Sequence, residues 1–381
     1  GLDDRPVVTD AGYAHLVREY DARGNVTREL FLDAYDRPYA ARGYSALVNN
    51  YDEQNNTVLT AHLGPRGELT PNEGGAALVK RKFDARRFVI EESYFDANER
   101  PVITRNGFAR RTMEYNSQGH RVRENFFGAD GAPFLANSQY VTLTTVSDLN
   151  GHALEESFLD AGGNLIENAA GFARYTKRLN ARGQDIEAIY YDRYGNRAIT
   201  AEGFSRITAE YNAQGHEVAR AYWGPDDGPV ARGGLFAKWA GVYDTYGNQV
   251  DECYYDVYGG LTPGPNGFSK VTRAYNERHE LIEEVYYDPS GAPSIYPFGY
   301  ARVAWTYDGL GNLSAIEYLD TEGNPQNNAQ GVARVEIAYD EQGRALQTNE
   351  FDSAGNPVAN SVGMSQETAA DGVFPANDGN L

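Results

Sequence analysis

A glycine returns along this chain on a 32-residue grid. Gly107-Phe108, Gly171-Phe172, Gly203-Phe204, Gly267-Phe268 and Gly299-Tyr300 stand 32 residues, or a multiple of 32, apart. Gly43, Gly75 and Gly331 lie on the same grid, and Gly12 opens a further unit 31 residues before Gly43. Gln139 and Leu235 replace the glycine in two units whose remaining pattern survives. A fixed period of this size is the mark of a repeat architecture and restricts the fold to a row of similar small pieces. The grid divides the chain into 1–11, the end of a preceding partial repeat; 12–362, eleven repeats; and 363–381, a degenerate twelfth repeat with a polar tail.

The stretch from Gly203, GFSRITAEYNAQGHEVARAYWGPDDGPVARG, shows what a repeat contains. Two runs rich in Tyr, Phe, Val, Ile and Thr are each bounded by Gly, Asn and Asp, which is the pattern of strands and hairpins. Glycine or proline interrupts the chain too often for a helix. In the first turn, as in Tyr243-Asp244-Thr245-Tyr246-Gly247-Asn248, the aspartate can accept backbone N–H groups and the glycine supplies a positive φ. A second turn repeats that logic at Asp192 to Asn196 and Asp320 to Pro325, and a loose connector follows it. The fold class expected is all-β: a tandem array of 32-residue β-hairpin repeats, elongated as a superhelical ribbon or solenoid. Gly64, Gly128 and Gly224 each precede a repeat with an altered opening, and this covariation predicts contact across the boundary between neighbours.

The YDxxGN and YDxxGR turns at Tyr20-Asp21, Tyr243-Asp244 and Tyr339-Asp340 resemble those of the YD-repeat (RHS-like) family of bacterial surface and toxin-shell proteins. That resemblance implies a β-ribbon outside the cell, in a non-catalytic role. Strings such as Tyr190-Tyr191-Asp192 and Gly195-Asn196 are similar to glucan- and choline-binding cell-wall repeats.

Composition narrows the role further. The chain carries 34 basic and 54 acidic residues, a net charge of −20, which excludes a phosphate-binding basic face and so nucleic acid. No apolar run approaches the length of a membrane span. The single cysteine, Cys253, leaves no intramolecular disulfide and reads as a packed thiol beside Tyr254.

Chemistry-bearing residues recur with the repeat, whereas an enzyme needs one unique constellation. The pairs Glu91-Glu92, Glu155-Glu156 and Glu283-Glu284 hold one place in the second run, and His120, His152 and His216 replace asparagine after a turn glycine. No catalytic, metal-binding or cofactor-binding residue is therefore assigned. Calcium is the cofactor the acidic turns could hold, through stacked carboxylates and carbonyls.

The remaining candidate is a ladder of paired aromatics, from Tyr94-Phe95 to Tyr286-Tyr287. Neighbours in a strand point to opposite faces, so an outward ring from each pair could stack on sugar. Tyr94, Tyr190, Tyr222, Trp223, Tyr254 and Tyr286 are the ligand-binding candidates.

The expected function is a non-enzymatic extracellular or cell-surface structural or interaction protein of bacterial type: an adhesin, stalk, shell or filament component. The alternative is a carbohydrate-binding repeat module. Expected partners are other copies of the chain, other surface proteins, or polysaccharide.

Overall fold

The computed structural model describes residues 9, 12–40, 42–137 and 139–358. The expected partial repeat over 1–11 lies almost wholly outside these residues, and the degenerate repeat over 363–381 lies outside them entirely. Every regular element described is a β-strand, in line with the all-β expectation, and 22 strands alternate between six and seven residues. The chain divides into two compact units, Gly1–Lys177 with Tyr190–Ala198, and Arg178–Ile189 with Ile199–Leu381.

Within each unit the strands form an antiparallel meander, pairing with their neighbours in sequence. Arg206–Tyr211 and Glu217–Trp223 make a typical hairpin: Ile207 faces Tyr222, and the register slips by one residue between Glu210 and Tyr211. The same slip beside the turn recurs at Glu114/Tyr115, Val242/Tyr243 and Ala274/Tyr275. A turn glycine explains it. Gly247 has φ +93°, and its N–H donates to the Asp244 carbonyl at 3.2 Å, while Asp244 N–H donates to Asn248 O at 2.9 Å. A type I turn followed by a left-handed residue makes this bulge and lets the strands keep their twist.

Each repeat contains a third turn where the sequence reading placed a loose connector. Asn72 N–H donates to Ala76 O and Gly75 N–H to Asn72 O, both at 2.9 Å. The same two bonds close turns at Thr104–Phe108, Thr200–Phe204 and Asn328–Val332. The repeat glycine is the left-handed residue of this third turn, which is why it sits on the grid: Gly107, Gly203 and Gly267 have φ of +84°, +90° and +94°.

The expected contact of Gly64, Gly128 and Gly224 with the next repeat is corrected by their surroundings. A Cβ on these residues would come within 2.6–3.1 Å of Thr70, Phe134 and Val230, which belong to the return of the same second turn.

Within each unit the buried core includes the openings of the first strands. The second residue after the grid position is small and almost fully enclosed in most repeats: Ala77, Ala109, Ala173, Ser205, Ala237, Ser269, Ala301 and Ala333 are 0–3% exposed. Its backbone joins two repeats. Ala301 N–H donates to Leu319 O, and its carbonyl accepts Tyr286 N–H from the preceding hairpin, both at 2.9 Å. Little space is left at this place, where the largest side chain in any repeat is the buried Val141. Ala301→Leu should destabilise the fold by about 1–3 kcal/mol through overpacking. Ala301→Ser should cost far less, because serine already stands at the equivalent positions 205 and 269. Urea denaturation followed by tyrosine fluorescence measures both.

Candidate functional site: the aromatic ladder

The paired aromatics separate by face, as alternation requires. The first ring of each pair turns inward. Tyr94, Tyr190, Tyr222, Tyr254 and Tyr286 are only 2–9% exposed, so five of the six ligand-binding candidates lie in the interior. There they alternate with the grid aromatics. In the first unit the rings run Tyr94, Phe108, Phe126, Tyr140, Phe158, Phe172, Tyr190, with centroids 4.8–5.8 Å apart. In the second they run Phe204, Tyr222, Phe236, Tyr254, Phe268, Tyr286, Tyr300, Tyr318 at 4.8–5.9 Å. Most contacts are tilted or edge-on, the geometry that aromatic quadrupoles favour, worth about 0.5–1.5 kcal/mol per pair beyond burial.

Trp223, the sixth candidate, belongs to the outward row and is half-buried. Its Nε1–H donates to Thr208 Oγ1 at 2.9 Å, and the Arg206 guanidinium lies 4.8 Å from its ring centroid. The rest of the row is covered likewise: Lys80 over Phe95, Arg110 over Phe127, Arg174 over Tyr191, Lys238 over Tyr255 and Lys270 over Tyr287, at 3.7–6.0 Å. Several of these cations also meet a carboxylate of the preceding hairpin, as Arg206 does Glu187 and Lys270 does Asp251. A cation on the ring face is attractive in itself, and it occupies the face a sugar would use. The most exposed tyrosines are elsewhere, at turn tips: Tyr35, Tyr194, Tyr246 and Tyr258 are 75–93% exposed, with Arg37 on Tyr35, Arg193 on Tyr194 and His279 against Tyr246.

The glutamate pairs also divide by face. Glu91 meets Lys82 and Arg110 on the outward side. Glu92 is buried inward, with Arg81 and Arg111 on its oxygens and the Tyr94 hydroxyl donating to it at 2.6 Å. Arg111 reaches on to Glu124, and Arg273 links Glu252 to Glu284 in the same manner. These chains bridge consecutive hairpins. Burial alone would raise the Glu92 carboxyl, but the Tyr94 hydroxyl and the two guanidinium groups outweigh it and hold it below the ordinary value.

The turn aspartates, the residues considered for calcium, are engaged with their own turns. Asp244 Oδ1 accepts Tyr246 N–H and Asn248 N–H, and Oδ2 accepts the Asn248 side chain. Among the described residues no group of three or more His, Cys, Asp or Glu side chains comes together as a metal site. His120 and His216 act as wedges between turns. His216 stacks on Tyr243 at 4.7 Å and lies against Gly247, and His120 lies against Gly151. Burial and Asp251 push the Cys253 thiol up to about 11, so it stays protonated and packed at neutral pH.

A bond between repeats was not foreseen from the sequence. In six repeats the tyrosine closing the first strand donates its hydroxyl to a carbonyl 25 or 26 residues earlier. Tyr51, Tyr115, Tyr211, Tyr275, Tyr307 and Tyr339 do so at 2.8–3.2 Å. The signal was the YD tyrosine itself, read as a turn marker.

No protein-family model matches the chain, and no curated protein matches it. Among solved structures it is similar to TcdB2-TccC3 without its hypervariable C-terminal region, at 12% identity and a TM-score of 0.35. That alignment covers 90% of this chain and 18% of the other. A Photorhabdus luminescens Tc holotoxin pore aligns at 13% identity and a TM-score of 0.37, over 90% of this chain and 17% of that one. A porin-like protein from Bacteroides uniformis gives 12% and 0.22, over 63% and 87% of the two chains. The chain spans less than a fifth of the first two, and likeness at this level transfers no activity.

The turn carboxylates make stability pH-dependent. Asn25 holds Asp21 below its ordinary value through its side chain and backbone N–H; Asn312 and Asn324 do the same for Asp308 and Asp320. With folded values depressed, this stabilisation is complete above the unfolded aspartate value of about 4 and is lost as pH falls through the folded values. The urea midpoint should be flat from neutrality to about pH 5 and fall steeply below about pH 4. Substituting Asp21, Asp308 and Asp320 with Asn should make that acid limb shallower, the remaining turn aspartates such as Asp52, Asp244 and Asp352 keeping part of it.

Proposed function

We propose that the chain is a non-enzymatic structural or interaction protein, working outside the cell or at its surface as part of an adhesin, stalk, shell or filament. The observation that carries this reading is the repeated tyrosine bond between hairpins. A side chain that returns in six of the repeats and serves its neighbour each time has a structural task, and the buried rings and paired carboxylates follow the same rule. The acidic balance of −20 suits a soluble, self-repelling surface. Partners on this reading are other surface proteins or further copies of the chain.

A carbohydrate-binding role would have to use the outward row around Trp223 or the exposed tyrosines at the turn tips. A panel of neutral and acidic polysaccharides tests the two readings by pull-down. The structural reading expects no saturable binding to any of them. Saturable binding that disappears in Trp223→Ala with Tyr255→Ala, or in Tyr194→Ser with Tyr258→Ser, would replace it by the carbohydrate-binding role, provided circular dichroism shows the variants folded.

A further inference from the structure

Over most of the ladder a phenylalanine separates one tyrosine from the next, as Phe236 and Phe268 flank Tyr254. One segment departs from this. Tyr286, Tyr300 and Tyr318 follow one another with no phenylalanine between them. A fourth phenol joins from the third turn, where Tyr296 stands in the place that is Asn, Thr, Ala, Arg or Gly in other repeats. The Tyr296 ring lies nearly parallel to Tyr286, with centroids 4.8 Å apart and planes at 14°. It is the only stacked tyrosine pair of the described ladder. Tyr300 to Tyr318 is 4.8 Å, and Tyr296 to Tyr300 is 6.5 Å. Tyr286 donates its hydroxyl to Glu284 Oε2 at 2.5 Å, so a base is already in place for its proton.

We infer that Tyr286 and Tyr296 form an oxidative cross-linking site, joined as a dityrosine when the protein meets a one-electron oxidant. Each phenol gives up one electron and its hydroxyl proton, and the Tyr286 proton passes to Glu284. The two radicals bond through ring carbons ortho to oxygen, and the two ortho hydrogens then move to the phenol oxygens. The net change is the loss of two electrons and two protons, the electrons going to the oxidant. Tyr286 and Tyr296 are 8% and 7% exposed, so the oxidant does not collide with them. Tyr300 and Tyr318 are half-buried and in ring contact, and they relay the oxidising equivalent inward. The product ties the strand Leu281–Tyr287 to the third turn that begins at Tyr296, a short covalent loop within one repeat.

Photogenerated tris-bipyridyl ruthenium(III), with persulfate as terminal acceptor, is the oxidant for the test, applied to the full chain at high dilution. Peptide mass spectrometry should find Tyr286 and Tyr296 joined in one species lighter by two hydrogen atoms. Tyr296→Phe keeps the ring and its stacking but should abolish that species. Tyr300→Phe with Tyr318→Phe should lower its yield several-fold while leaving oxidation of the exposed Tyr258 unchanged. If Tyr258, Tyr194 and Tyr246 are oxidised and no Tyr286–Tyr296 species forms, the site is overturned. An unchanged yield in the Tyr300 and Tyr318 double variant overturns the relay.

Discussion

One residue in each hairpin holds three pieces of chain together: the penultimate residue of the second strand. At Tyr94 the N–H donates to Ala109 O of the next repeat, the carbonyl accepts Val102 N–H from the return of its own second turn, and the ring enters the ladder. The same triple role falls to Phe126, Tyr222, Tyr254 and Tyr286. Each backbone bond contributes about 1 kcal/mol net, but leaving either buried group unpaired would cost about 1–3 kcal/mol. Burying the ring adds roughly 1.5–3 kcal/mol. A hairpin alone is marginal in water. Here its stability comes from the neighbour that accepts the N–H and covers the ring, which is the dependence expected of stacked repeats.

That dependence explains what could be read from the sequence. The hairpins, their two strands and their first two turns were legible because aspartate and glycine at fixed spacing have specific backbone consequences. The third turn was not. Its first position is occupied by Asn72, Thr104, Ala136, Arg232, Gly264 and Tyr296, which share no side-chain chemistry, and its geometry rests on backbone bonds that any of them can make. Only its left-handed glycine recurs, and that glycine looked like the opening of a repeat. The covariation of Gly64, Gly128 and Gly224 with the altered openings is real in the sequence, but these glycines face their own turn, and the structure gives no physical account of the link.

The face of each aromatic pair was legible only as an either-or. Alternation puts the two rings on opposite sides without saying which side is enclosed. The opposite strand decides it. Val79, Ile207, Val271 and Val303 face the inward member, whereas Arg110, Arg206, Lys238 and Lys270 face the outward one. A cation followed by an apolar or aromatic residue opens the first strands at Arg174, Arg206, Lys238, Lys270, Arg302 and Arg334, and it was the missing signal there. With it, Tyr190, Tyr222, Tyr254 and Tyr286 would have been placed inside and Trp223 under its arginine, whereas Tyr94 faces Val79 in a strand that opens without a cation.

Charge is arranged by the same alternation. Outward carboxylates meet cations in water, where each pair contributes little, while Glu92, Glu124 and Glu284 are buried among guanidinium groups and phenols. Removing one partner of such a group leaves a buried charge uncompensated and is far costlier than removing a surface pair. The inward chains Glu92–Arg111–Glu124 and Glu252–Arg273–Glu284 therefore tie particular consecutive hairpins together in addition to the aromatic ladder. A ladder of similar rings could slip by a whole repeat at little cost in packing. A guanidinium that needs two inward carboxylates can slip only where they recur: Glu92, Glu124 and Glu156 share one place in the repeat, while Ala188, Arg220 and Ile316 fill it elsewhere.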